Sequence, residues 1–154
     1  VWDLATGRPV GEPLTGHKGS VSGVATVVVV EGRPVAVTGS YNGEVRVWDL
    51  TTGQPVGEPL TGHARSVLGV ATAVLDGRPI AVTGGWDKTV RVWDLATGRP
   101  VGGPLTGHTS GVPSVATAVV DGRPVAVTAS ADETVRVWDL ASPSANPSLA
   151  TPTR

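Results

Sequence analysis

Histidine, threonine or serine, and aspartate recur along the chain as a set of residue types that could do nucleophilic chemistry. In hydrolases a hydroxyl attacks a carbonyl, an imidazole takes its proton and a carboxylate holds the imidazole in place, so these residue types permit a triad. Other chemistries fit less well. The three histidines fall one to a set and no cysteine accompanies them, so no metal site is expected. "GEPLTGHK" at 11–18 is one position away from a phosphate-binding loop, but His17 stands where that loop needs lysine. "GSYNG" lacks the spacing of a nucleophile elbow, and no cofactor is expected.

The elements that must position these groups follow from self-similarity. "WD" stands at 2, 48, 93 and 138, and "GH" at 16, 62 and 107, so the tryptophans are spaced by 46, 45 and 45 residues. Periods of this length mark repeat architectures. The one extra residue of the first unit falls between "VAT" and "GRP", where a hairpin turn tolerates it. Within a unit, "SVSGVATVVVV", "PVAVTGS", "EVRVWDL" and "QPVGEPL" are β-rich runs separated by the turn-prone "EGR", "YNG" and "TTG". The first two runs are apolar at nearly every position, as in strands covered on both faces. A four-stranded antiparallel meander buried on both sides needs a neighbour on each, and radial stacking of such units is an all-β propeller.

Composition agrees and narrows the classes. With 21 Gly and 13 Pro spread evenly, short strands and tight turns are favoured; with no Cys there is no disulfide and no thiol nucleophile. A formal charge of -1 gives no basic footprint for nucleic acid. The longest apolar run, "VATVVVV" at 24–30, falls far short of the roughly 18 residues of a membrane span. No basic-then-apolar leader precedes it, and a cytoplasmic location is expected.

"GH" followed by "WD", with "VTGGWDKTVRVWDL" (82–95) and "VTASADETVRVWDL" (127–140) between, resembles the WD-repeat (WD40) β-propeller family over all but the last 14 residues. The resemblance implies blades acting as a binding platform without catalysis, and bacterial arrays of this style are often attached to kinase, protease or NTPase domains. It also implies that the His, Thr and Asp sets are structural and each closed by a tryptophan: His63, Thr83, Asp87 and Trp93; His108, Thr128, Asp132 and Trp138; and His17, Thr38, Asn42 and Trp48. Asn42 departs from the pattern, since a neutral amide polarises histidine less than a carboxylate does.

About three blades are expected. Residues 1–15 end a preceding blade, 16–60, 61–105 and 106–140 are three blades of which the third lacks its outer strand, and 141–154 is a flexible Pro, Ser and Thr tail. The chain is expected to be the C-terminal part of a larger propeller, forming alone an open arc or a ring of two or three copies. Strand parity puts the turn after the second strand on the same face as "GH". That face varies between units ("KGSVS", "ARSVL", "TSGVP"; "SYNGE", "GWDKT", "SADET"), while the opposite turns, "EGRP" and "DGRP", hardly change. Either copied units have drifted there wherever structure permits, or the face takes a protein or peptide partner, which is expected to be anchored by Tyr41 and Trp86 with Lys18, Arg65 and Lys88 around them. The alternatives are a sensor propeller serving a catalytic domain outside this segment, and a propeller binding a small molecule or glycan.

Overall fold

The computed structural model describes residues 1–141; beyond Ala141 the expected tail lies outside the described residues. Among the described residues, ten strands form three sheets. The first joins β1 (Val21–Val30), β2 (Arg33–Ser40) and β3 (Val45–Asp49). The second joins β4 (Val67–Leu75), β5 (Arg78–Gly85), β6 (Val90–Asp94) and β7 (Arg99–Pro100), and the third β8 (Ser114–Val120), β9 (Arg123–Ala129) and β10 (Val135–Asp139). Every pairing is antiparallel between sequence neighbours, as short hairpin connections require. The first hairpin of each sheet turns on two residues, Glu31-Gly32, Asp76-Gly77 or Asp121-Gly122, all at positive φ. That is the type I′ requirement, and its twist matches that of the flanking strands.

The fourth run is less regular than "QPVGEPL" suggests. Residues 54–60 meet β3 only at Trp48↔Pro55 and Val45↔Leu60. In the second sheet β7 has two residues, and pairing resumes only at Val90↔Leu105. Pro55, Pro59, Pro100 and Pro104 have no N–H to give to a ladder. Between them Gly57 and Gly102, at φ 68° and 70°, turn the chain aside. Among the described residues β10 has no fourth strand beside it.

Two apolar cores lie between the sheets. Val35, Val37, Val45 and Val47 meet Val67, Val70, Ala81 and Trp93 in one; Ile80, Val82, Val90 and Val92 meet Val112, Ala126 and Trp138 in the other. Alternate residues of β5 thus face opposite neighbours, and each buried valine contributes about 1.5–3 kcal/mol relative to exposure. Among the described residues the end sheets are covered on one side only. Val21 and Val24 of β1 are 55% and 67% exposed, whereas their equivalents Val67 and Val70 are buried at 0% and 9%. Two-sided burial, expected of every first and second strand, therefore holds best for β4 and β5, while β1 and β8 are largely exposed.

Hydroxyls link the inner strands. Thr72 Oγ1 donates to the Thr26 carbonyl (2.8 Å) and Thr117 Oγ1 to the Thr72 carbonyl (2.7 Å), a relay repeated at the same level of each sheet. Residues 1–10 form a separate hairpin through Trp2↔Pro9, and its Trp2 is 66% exposed where Trp48, Trp93 and Trp138 are buried.

Candidate functional site

The hairpin between the second and third strands of each sheet folds back beside the "GH" loop, and this brings the sequence-distant polar groups together. In the second sheet Thr83 on β5 and Trp93 on β6 lie beneath His63 of the loop, and Asp87 comes from the β5–β6 turn. Trp93 Nε1 donates to Thr83 Oγ1 at 2.9 Å, and Thr83 Oγ1 lies 2.7 Å from His63 Nε2. An indole N–H can only donate, so the threonine proton is free to point at His63 Nε2. The other ring nitrogen, Nδ1, then carries its proton toward Asp87, whose two oxygens are both 3.1 Å away. Donors run one way, Trp to Thr to His to Asp, and the imidazole is neutral. Burial pushes the His63 pKa below its ordinary value, with Asp87 opposing the shift and Arg91 adding to it.

The third sheet repeats the chain of donors. Trp138 Nε1 donates to Thr128 Oγ1 at 2.9 Å, His108 Nε2 lies 2.8 Å from that oxygen, and His108 Nδ1 lies 2.9 Å from Asp132 Oδ2. Both carboxylates are further held by a threonine two residues on and by a loop N–H. Thr89 Oγ1 (2.8 Å) and the Ala64 N–H (2.9 Å) donate to Asp87, and Thr134 Oγ1 and the Thr109 N–H donate to Asp132. Burial alone would raise these carboxyl groups, but the hydroxyl, loop N–H and imidazole donors hold both below the usual carboxylate range.

The first sheet brings only part of its set together. His17 Nε2 and Thr38 Oγ1 are 2.6 Å apart and Trp48 Nε1 donates to Thr38 at 2.8 Å. Asn42 does not join them. Its Oδ1 accepts from the Glu44 N–H at 3.2 Å, and His17 Nδ1 is left buried without a partner. Glu44 stands where the other sheets have Thr89 and Thr134, and it turns to Arg46 at 3.3 Å instead. Sequence reasoning missed this threonine, although its alternation with glutamate is visible when the units are aligned on "WD".

The triad-like hydroxyl is closed to a substrate. Thr83 and Thr128 are fully buried, and each oxygen already accepts from an indole beneath it. A nucleophile must reach a carbonyl carbon, and here the way is blocked by the same groups that complete the network. Among the described residues no three His, Cys, Asp or Glu side chains gather as metal ligands would.

Above these networks the "GH" face is open. Tyr41 is 56% and Trp86 48% exposed, and each follows the last residue of a second strand, with its N–H bonded to the loop carbonyl of Ser20 or Ser66. Trp86 is not a free-standing anchor. Its ring lies across Gly111 of the third sheet's loop, where any side chain would strike it, so half of its surface belongs to the seam between sheets. Lys18, Arg65 and Lys88 are exposed and take part in no ion pair among the described residues. The opposite face is tied down: Arg33, Arg78 and Arg123 of the "GRP" turns pair with Asp49, Asp94 and Asp139 of "WD" at 3.7, 3.5 and 3.3 Å. Those aspartates also cap the next turn, as Asp94 does for the N–H groups of Ala96 and Thr97.

A family model described as WD domain, G-beta repeat matches residues 7–49, 53–94 and 99–139. No curated protein matches the chain. The three matched segments end on "WD"; 53–94 and 99–139 each extend from the edge of one sheet through the first three strands of the next, and 7–49 runs from the 1–10 hairpin through β1, β2 and β3.

Proposed function

Because the chain belongs to the WD40 family, whose repeats generally serve as protein-interaction or scaffold modules, we propose that it is a non-catalytic module binding a protein or peptide across the "GH" face. One observation carries this reading. The units differ on this face in size, charge and aromaticity, and they expose Tyr41 and Trp86 beside Lys18, Arg65 and Lys88, which form no ion pair among the described residues, while the opposite turns repeat and their Arg33, Arg78 and Arg123 are paired with Asp49, Asp94 and Asp139. Aromatic anchors ringed by unpaired cations suit an acidic segment with an apolar side chain, since exposed aromatics become hot spots when desolvated and the cations steer approach. The buried, capped hydroxyls of Thr83 and Thr128 support a structural role for the His and Asp sets.

The test compares variants of the two faces in capture from a lysate, followed by affinity measurement on the recovered partner. Tyr41→Ala and Trp86→Ala are each expected to weaken binding by about 2 kcal/mol or more. Arg78→Ala, on the opposite face, is expected to leave affinity unchanged. Because Trp86 also packs on Gly111, its melting temperature is measured alongside, and Tyr41→Ala carries the comparison if Trp86→Ala is destabilised. Binding lost with Arg78→Ala and kept with Tyr41→Ala would reverse the face.

A further inference from the structure

The seams between sheets are valines set into a glycine gap. Gly23 stands directly across from Gly39 in the first sheet, and Gly69 across from Gly84 in the second. The next sheet fills each gap. A Cβ at Gly39 would run into Val67, and one at Gly23 would come within 3.0 Å of Val70 Cγ2. At Gly84 it would lie 2.7 Å from Val112 Cγ1, and at Gly69 3.1 Å from Val115 Cγ2. In the third sheet the corresponding cross-strand pair is Ser114↔Ala129. Both carry a Cβ, so the gap on that face, left open by the described residues, is already occupied. At the other end of the stack the equivalent valines, Val21 and Val24, stand exposed.

We propose that the open face of the third sheet is a docking seam for a β-blade of different sequence, one whose inner strand carries glycine, alanine or serine at the level of Val21, and that it rejects a second copy of this chain. The face continues an interface that the chain makes twice. Val127, Val135 and Val137 are only partly covered there, whereas Val37, Val45 and Val47 are buried under the second sheet. The Thr117 carbonyl stands where Thr26 and Thr72 each receive a hydroxyl from the following sheet. A copy docking head to tail would bring Val21 onto Ala129 as Val67 lies on Gly39, and the overlap would force side chains off their rotamers or move the sheets apart. The ring of two or three copies expected from the sequence therefore lacks a matching seam. This holds whatever partner the "GH" face takes.

Sedimentation velocity of the chain at rising concentration tests it. The unaltered chain is expected to show no head-to-tail species, and Ser114→Gly/Ala129→Gly to associate at least about tenfold more tightly. Adding Val21→Asp to that variant is expected to abolish the gain, and Ala129→Gly alone, the milder change, to give part of it. Circular dichroism confirms that each variant keeps its β signal. Assembly of the unaltered chain as readily as the glycine variants would overturn the proposal. So would folded glycine variants that gain no mass. A chain ending at Ala141 that assembles without further change would assign the face to residues 142–154 and also overturn it.

Discussion

At the scale of single residues, three copies of one network differ by two substitutions, and the molecule contains its own control. His17 lacks the carboxylate that His63 and His108 have, and its Nδ1 is buried without a partner. An unpaired buried polar group costs about 1–3 kcal/mol, so the exchange is testable in both directions. Asn42→Asp with Glu44→Thr, which supplies both the carboxylate and the hydroxyl that holds it, is expected to raise stability by about 1 kcal/mol in denaturant unfolding. Asp87→Asn is expected to lower stability by about 1–3 kcal/mol. The networks also make stability depend on pH. Burial lowers His63 and His17 from the ordinary 6.5, with Arg46 adding to the shift at His17. Below that value the unfolded chain binds protons that the folded one refuses. Stability is thus expected to be flat above pH 6.5 and to fall as pH drops below it. A second loss is expected below 3.8, where Asp87 and Asp132 are held ionised in the fold. Urea midpoints across that range check both steps; a maximum below pH 6 would contradict the assignment of neutral histidines.

At the scale of elements, the period of the tryptophans made three antiparallel sheets legible, because a unit with four turn-separated runs has few ways to bury its apolar residues. The polar sets were legible only in part: the family resemblance grouped His63, Thr83 and Asp87, but not the threonine two residues beyond, which recurs only as Thr89 and Thr134 and is Glu44 in the first unit. The outer run was over-read, because β-propensity counts Val56 and Leu60 and does not register that Pro55 and Pro59 lack donors. Close approach was invisible too: Gly39 and Gly84 look like ordinary turn-side glycines until the next sheet is placed on them. Gly39→Ala is accordingly expected to cost about 1–3 kcal/mol by overpacking against Val67. Gly103→Ala, with open space around it and no unusual backbone angle, is expected to change stability by no more than about 0.5 kcal/mol. Thermal or urea unfolding of the two separates them, and Val67→Ala in the Gly39→Ala background is expected to restore part of the loss.

At the scale of the whole molecule, protection is graded from the centre outward. Among the described residues only the second sheet has apolar neighbours on both sides, so the amides of β5 are expected to exchange slowest with solvent deuterium, and those of β1, β8 and the 1–10 hairpin fastest. Uniform protection across the three sheets would mean that the open faces are covered in solution. The offset between matched repeat and sheet has a further consequence. A segment such as 53–94 gives its first residues to the edge of one sheet and its last three strands to the next. Copying that segment in the gene and inserting it between two others would therefore complete the sheet before it and have its own completed by the segment after it. The array could lengthen in whole steps without leaving an unfilled edge inside.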